Sequence, residues 1–282
     1  MRTVLSPAGS RSDYLDAELT FEQSIDKDAD TADTRATVAR LVDAARQMAG
    51  PQPSDTYKLA AVRKAIYEAG PWNHNRAFSY DLADPLGANP RSKMLSTYVR
   101  TRKGNCVSMP VLFLIVADRL GLNVRLAAAP LHLFVRYTDP SGAEHNLEAT
   151  SGGHEARTAW YRANLPMSDR SIESGLYMRT FSKRETVAAM ATEVLDFLFA
   201  ERRFQEAADA ADSLLAANPR DGYAMTKKGS ALGLLMQAEF VGKYAAPGLI
   251  PAPLRARYRT LVAGNEKAFR DAAALGWRED AH

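Results

Sequence analysis

Residues 104–121, GNCVSMPVLFLIVADRLG, are the stretch that decides the fold of this chain. The six residues after Pro110 are all apolar, and Gly121 is a typical left-handed stop for a helix. Because proline is excluded from a helix interior, the helix must begin at residues 105–108. The sequence therefore predicts a buried helix that ends just before Gly121 and has Cys106 at its N-terminal end.

Cys106 is the only cysteine in the 282 residues, and its position suits a nucleophile. Backbone N–H groups and the positive end of the helix dipole favour the thiolate, which is the reactive form. The alternative is a structural role, because free cysteines are among the most buried residue types. A single cysteine also excludes an intrachain disulfide and a thiolate-rich metal site, which is typical of a reducing compartment.

The length and composition are those of an ordinary globular protein, with 46% hydrophobic residues, 24% charged residues and a net charge of +3. No segment approaches the ~20 apolar residues of a membrane span, and residues 1–7 lack the apolar core of a secretory signal. We therefore expect a cytoplasmic protein that does not bind membranes. The basic residues are scattered among acidic ones, so no nucleic-acid partner is predicted.

Four regions follow one another along the chain. Residues 1–33 are polar and acidic, which indicates an N-terminal arm. Residues 34–70 have apolar spacing typical of two helices that pack on a core, and residues 71–186 form that core. The core begins with a segment rich in turn formers, residues 71–93. Residues 187–282 are predicted to be helical throughout, apart from a break near Pro247–Pro253.

A β-hairpin is predicted downstream of the helix, because two runs of strand composition flank the turn signal Asp139-Pro-Ser-Gly142. This sequence suits a type I turn followed by a left-handed glycine, the three-residue hairpin loop. The resulting register pairs Asp139 with Ala143, Phe134 with Glu148 and His132 with Thr150. His132 and Glu148 then lie on one face as diagonal neighbours, whereas a two-residue loop would separate them.

A thiol, an imidazole and a carboxylate are the groups that acyl transfer through a thiol requires. In that chemistry His132 takes the proton of Cys106, Glu148 orients the imidazole, and the sulfur attacks an amide or ester carbonyl. The Cys106 backbone N–H is one candidate donor for the oxyanion. The candidates for a second donor are Trp72, Asn75 and Tyr98. The other histidines have no ligand-like spacing, so neither a metal nor a cofactor is predicted.

These residues resemble the bacterial transglutaminase-like superfamily. The resemblance rests on Gly104-Asn-Cys106 with its apolar helix, then Pro130-Leu-His132-Leu-Phe-Val135, then Asn146-Leu-Glu148-Ala-Thr150. It implies an α+β fold with a papain-like core and a small antiparallel sheet. It also implies catalytic roles for Cys106, His132 and Glu148. The third position departs from the usual Asp-Pro-Thr of the family, and a glutamate there must sit further back from the imidazole.

The C-terminal region resembles tetratricopeptide repeats, since Phe204, Ala207, Ala211, Leu214 and Pro219 have the spacing of one helix pair. One or two repeats are too few to stand alone, so this tail is expected to dock on the core. The sequence thus favours a cysteine protease, amidase or acyltransferase that acts on a peptide or protein. The tail is also predicted to bind a protein partner. The alternative is a non-catalytic scaffold that binds a peptide or protein. The substrate, and the choice between hydrolysis and transamidation, stay open.

Overall fold

The computed structural model of the protein describes residues 4–5 and 13–278. The N-terminal region contains helices α1 (Tyr14–Ile25), α2 (Thr31–Ala49) and α3 (Asp55–Tyr67). The central region contains β1 (Ser79–Tyr80), α4 (Leu95–Thr101), β2 (Lys103–Gly104), α5 (Ser108–Arg119), β3 (Val124–Ala129), β4 (His132–Thr138), β5 (Glu144–Glu148), β6 (His154–Glu155), α6 (Thr158–Asn164) and α7 (Asp169–Glu173). The C-terminal region contains α8 (Lys183–Met190), α9 (Thr192–Ala200), α10 (Phe204–Ala217), α11 (Gly222–Glu239) and α12 (Ala252–Ala274). The fold class is α+β, as the sequence predicted.

Helix α5 lies at the centre of the core. It begins at Ser108 and is followed by Gly121 with a φ of 75°, so the predicted start and stop are confirmed. All its residues from Ser108 to Ala117 are buried, and it contacts α2, α3, α4, β3 and β4. Burial of each of its large apolar side chains contributes about 1.5–3 kcal/mol. No helix within residues 4–5 and 13–278 combines the length and the apolarity that crossing a membrane would require.

The sheet next to α5 is antiparallel, with the strand order β3, β4, β5, β6. The pairing of β4 with β5 has the predicted register, with Val135 opposite Leu147 and Tyr137 opposite His145. The turn closes with the Asp139 N–H donating to the Ala143 carbonyl at 2.9 Å, and the glycine at its end has a φ of 88°. The turn chemistry thus determines which side chains of β4 and β5 face each other.

The N-terminal region differs from the acidic arm predicted over residues 1–33, since α1 lies within it. Asp13 caps this helix by accepting a hydrogen bond from the Leu15 N–H at 2.9 Å. Tyr14, Leu15, Leu19 and Phe21 are buried against the core. The buried apolar stripe, and not the acidic average composition, therefore determines that this segment packs as a helix. Residues 1–3 and 6–12 of the predicted arm lie outside the described residues, as does His282.

The five C-terminal helices dock on the core, as predicted. Each of α9, α10 and α11 contacts the next helix along the chain, and α8 also contacts β3. One continuous apolar cluster joins core residues such as Phe113 to tail residues such as Leu195 and Leu214. Pro247–Leu249 forms a short 3-10 helix at the predicted break. The tetratricopeptide-like character of the tail and the domain boundaries stay predictions.

Candidate active site

Cys106 lies two residues before the first residue of α5, in a turn that its neighbours hold in place. The side-chain oxygen of Asn105 accepts hydrogen bonds from the Val107 N–H at 3.0 Å and the Ser108 N–H at 3.2 Å. The carbonyl of Cys106 accepts a hydrogen bond from the Leu133 N–H at 3.3 Å. This last bond connects the cysteine to Leu133, the second residue of β4. Cys106 is 4% exposed, so the thiol is reached only through a cavity.

His132 begins β4, directly after the two-residue connection Pro130-Leu131. Ala129 and His132 are the last pair of the β3–β4 ladder, which places the imidazole at the end of the sheet. Leu131 has a φ of 53°, and its carbonyl accepts a hydrogen bond from the Cys106 thiol at 3.3 Å. A non-glycine residue in the left-handed region costs about 1–3 kcal/mol, and such strain clusters at functional sites. The tight turn therefore brings the imidazole to the thiol.

The His132 ring is hydrogen-bonded to Glu148, and it lies in the same cavity as the Cys106 thiol. Its Nε2 lies 2.7 Å from Glu148 Oε2, which leaves Nδ1 as the ring nitrogen available to the thiol. Burial lowers the pKa of His132, but the hydrogen bonds to Cys106 and Glu148 and their negative charges raise it to about 9. The structure thus brings all three predicted residues together, with the imidazole between the thiol and the carboxylate.

Two residues beyond the predicted three hold the carboxylate of Glu148. Thr150 donates to Oε1 from its N–H at 3.0 Å and from its hydroxyl at 2.5 Å, and the Tyr161 hydroxyl donates to Oε2 at 2.8 Å. Burial raises the pKa of Glu148, but the hydrogen bonds and the charge of His132 outweigh burial, and the pKa lies below its usual value. The carboxylate is therefore ionised and fixed. Sequence reasoning missed Tyr161, because α6 shows no spacing that relates it to β5.

Two of the three residues predicted as a second oxyanion donor, Trp72 and Tyr98, make contacts elsewhere, and a different aromatic residue, Tyr80, lies near the thiol. The Trp72 indole donates to the Ala65 carbonyl at 2.9 Å, and the Tyr98 ring is buried edge-on against Phe78 at 5.1 Å. Asn75 has a φ of 54° in the turn-rich segment. Tyr80 in β1 is instead close to the site: burial raises its pKa, and the negative charges of Cys106 and Glu148 raise it further.

A cavity of about 540 Å³ reaches Cys106 and His132 from the side of the C-terminal helices. Its volume is in the usual range for a small-molecule or peptide side-chain site. The lining from the tail includes Asp196, Phe199, Tyr223, Lys227, Phe269 and Trp277. Asp196 forms ion pairs with Lys93 at 2.6 Å and with Lys227 at 2.7 Å. The cavity wall therefore combines apolar rings with a paired cluster of charges.

In the described part of the chain, one group of side chains away from Cys106 has the spacing of metal ligands. One group of three acidic side chains, Glu18, Glu22 and Glu193, offers oxygen atoms that lie within 4.8 Å of one another. This group is formed by α1 and α9, and none of its members lines the cavity at Cys106.

Comparisons with known proteins place the central part of the chain in a family. A family model described as the transglutaminase-like superfamily matches residues 32–191, which include Cys106, His132 and Glu148. A UPF0162 protein of Buchnera aphidicola subsp. Schizaphis graminum (strain Sg) is 23% identical over 228 residues, which are 78% of this chain and 79% of that protein. No solved structure matches the chain significantly.

Proposed function

This chain belongs to the transglutaminase-like superfamily, and from that premise we propose that it is a thiol-dependent enzyme that hydrolyses or transfers the acyl group of an amide or ester. The observation that carries the proposal is the His132 ring, which is hydrogen-bonded to Glu148 at 2.7 Å and lines one cavity with the Cys106 thiol. A nucleophile, a base and a group that orients the base are the parts of such a site.

The proposed reaction has two steps. Because the pKa of His132 is about 9, the proton of the Cys106 thiol passes to the imidazole before the attack. The thiolate then attacks the carbonyl carbon, and the imidazolium protonates the leaving amine or alcohol. The product of this step is a thioester on Cys106. Water or a second amine then attacks the thioester, with His132 as the base, and the proton returns to the sulfur. Water gives hydrolysis and an amine gives transamidation. The backbone N–H of Cys106 is the proposed donor to the oxyanion.

A peptide or protein is the proposed substrate class. The cavity volume of about 540 Å³ suits one or two side chains of a polypeptide, and tail residues such as Tyr223 and Lys227 line it beside Cys106. In this proposal the tail selects the substrate, and its tetratricopeptide-like helices bind a protein partner.

The lone cysteine makes the test direct. The thiol of the folded protein should react with iodoacetamide faster than the thiol of the same chain unfolded in urea at the same pH. An ester such as p-nitrophenyl acetate should leave one acetyl group on Cys106, detected by intact mass. His132→Gln should slow both reactions, whereas the exposed His154→Gln serves as the control and should not. Unchanged turnover in Cys106→Ala would exclude the mechanism.

A non-catalytic scaffold is the second candidate, and one observation favours it. Cys106 is only 4% exposed, and its thiol donates to the Leu131 carbonyl at 3.3 Å, as a structural cysteine would. For a scaffold, iodoacetamide should modify the folded protein more slowly than the unfolded chain, and no acetyl-enzyme should form. The same two measurements therefore separate the two candidates.

A further inference from the structure

Three glutamates from two helices meet inside the protein, away from Cys106. Glu18 and Glu22 lie one turn apart on α1, so their side chains share a face. Glu193 lies in the first turn of α9 and points at the same place. The three residues are 1%, 0% and 1% exposed, and one carboxylate oxygen of each lies within 4.8 Å of the others. Buried acidic residues at this separation need a compensating partner.

The hydrogen bonds of the protein leave this cluster incomplete. Glu22 accepts from the Ser96 N–H at 3.0 Å, where α4 begins. In contrast, Oε2 of Glu18 and both carboxylate oxygens of Glu193 have no hydrogen-bond partner. An unpartnered carboxylate oxygen inside a protein costs several kcal/mol unless a proton or a cation satisfies it. Glu193 is thus a buried ligand group aimed at two further carboxylates.

The charges around the cluster do not balance. Lys93 is the ammonium group that acts on Glu193, but it is already paired with Asp196, as is Lys227. Four carboxylates therefore face two ammonium groups, and two negative charges remain. One divalent cation would neutralise the two remaining negative charges.

We propose that Glu18, Glu22 and Glu193 bind one divalent cation of the class that prefers oxygen ligands, such as Mn²⁺, Mg²⁺ or Ca²⁺. Such ions take carboxylate oxygens at about 2.0–2.6 Å, so two ligands of one ion lie at most about 4–5 Å apart. The oxygen atoms of the cluster lie within 4.8 Å of one another, which is inside the limit of about 5.2 Å for Ca²⁺, whereas Mg²⁺ requires separations of at most about 4.2 Å. The cluster has neither sulfur nor nitrogen ligands, which disfavours zinc and copper.

The ion would connect three segments of the fold. It would bridge α1 to α9, and through the bond from Ser96 to Glu22 it would fix the start of α4, the helix before Cys106. This role goes beyond the proposed thiol chemistry, because none of the three glutamates touches the site at Cys106. A failure of either proposal leaves the other standing.

Mn²⁺ is the probe for the test, because free Mn²⁺ is counted directly by electron paramagnetic resonance. The full-length protein is treated with EDTA, desalted and titrated with MnCl₂, with calorimetry in parallel. We expect one saturable Mn²⁺ per chain. Glu193→Gln keeps the shape and removes the charge, and it should weaken binding by at least about tenfold. Glu206→Gln is the matched control, since Glu206 is exposed and paired with Arg203, and it should bind as the wild type does. Competition with Mg²⁺ and Ca²⁺ then ranks the ions.

Protons on the glutamates are the rival explanation, and they predict the opposite results. In that case the wild type binds no Mn²⁺ at millimolar concentration, and Glu193→Gln melts at a higher temperature that metal does not change. Either result overturns the proposal, as does wild-type affinity in Glu193→Gln. If that variant does not fold, the titration of the wild type alone decides: one bound ion that raises the melting temperature supports the site, and no bound ion refutes it.

Discussion

Replacement of Glu148 by glutamine should lower the pKa of His132 by about 1–3 units. In the native site the pKa is about 9, although burial alone would take it below its ordinary value of 6.5. Glutamine keeps the size of the side chain and removes one of the two groups that raise the pKa of His132 against burial. Cys106 also raises this pKa and remains in Glu148→Gln, so we expect a fall of about 1–3 units, which corresponds to about 1.4–4 kcal/mol of lost preference for the imidazolium.

Histidine NMR measures this change directly. The His132 ring resonance is assigned by comparison with His132→Gln and is followed from pH 5 to pH 10 in both proteins. Glu155→Gln is the matched control, because Glu155 is exposed and lies 3.0 Å from His145 rather than beside His132. It should lower the pKa of His145 and leave that of His132 unchanged.

The same shift predicts how stability depends on pH. The pKa of His132 is higher in the folded protein than in the unfolded chain, so its stabilising contribution is complete below pH 6.5 and is lost as the pH rises through 9. Urea unfolding of the wild type should therefore show a loss of up to about 3 kcal/mol in the free energy of unfolding across this window, and the loss should be smaller in Glu148→Gln. Equal His132 pKa values in the two proteins, or parallel stability curves, would refute the reasoning.

Three further substitutions test the surroundings of the site and the tail. Tyr161→Phe removes the hydroxyl that donates to Glu148 at 2.8 Å, and urea unfolding should show a loss of about 1–3 kcal/mol. Asp221→Asn keeps the cap on the Ala224 N–H and removes a carboxylate whose pKa burial raises to about 6. The buried carboxylate lowers the free energy of unfolding of the wild type as the pH rises from 3.8 through 6. Urea unfolding should therefore show that Asp221→Asn is about 2 kcal/mol more stable than the wild type at pH 7.5 and equally stable at pH 3.5. Gly229→Ala places a Cβ 2.6 Å from the Phe269 ring, and thermal unfolding should show a loss of about 1–3 kcal/mol.

Each of these substitutions has an internal or matched control. Tyr57→Phe removes a hydroxyl from a side chain that is 68% exposed, and Gly248→Ala adds a Cβ that meets nothing within 4 Å. Both should leave stability within about 0.5 kcal/mol of the wild type. A gain in Asp221→Asn that persists at pH 3.5 would contradict the role of the charge. Losses in the control variants as large as those in Tyr161→Phe or Gly229→Ala would contradict the packing argument.

The β4–β5 hairpin was predictable from the sequence because its information is local. Four consecutive residues, 139–142, determine the loop length, and the loop length determines the register that brings His132 and Glu148 to one face. The start of α5 was predictable for the same reason, since Pro110 and Gly121 limit it within the chain itself. In both cases a short stretch of backbone decides the outcome.

The contacts that the sequence did not predict join segments that are far apart in the chain. Tyr161 reaches Glu148 from α6, and Glu193 reaches α1 from α9. A tyrosine or a glutamate on a helix shows no pattern that indicates its partner. Helix α1 was missed for another reason: its acidic residues dominate the average composition, while Leu15 and Leu19 on one face determine its burial.

The register also explains why the acidic residue of this site is a glutamate. The ladder ends with Val135 opposite Leu147, and the same register extended by one residue would set Glu148 opposite Phe134, one diagonal step from His132. Diagonal neighbours on a sheet lie about 7–8 Å apart, so the acid must extend along the face to meet the ring. An aspartate at this position would be shorter by one carbon–carbon bond of about 1.5 Å, which exceeds any slack in the 2.7 Å contact with His132. Thr150 and the Tyr161 hydroxyl then hold the longer side chain in one conformation, so the extra rotatable bond does not loosen the site.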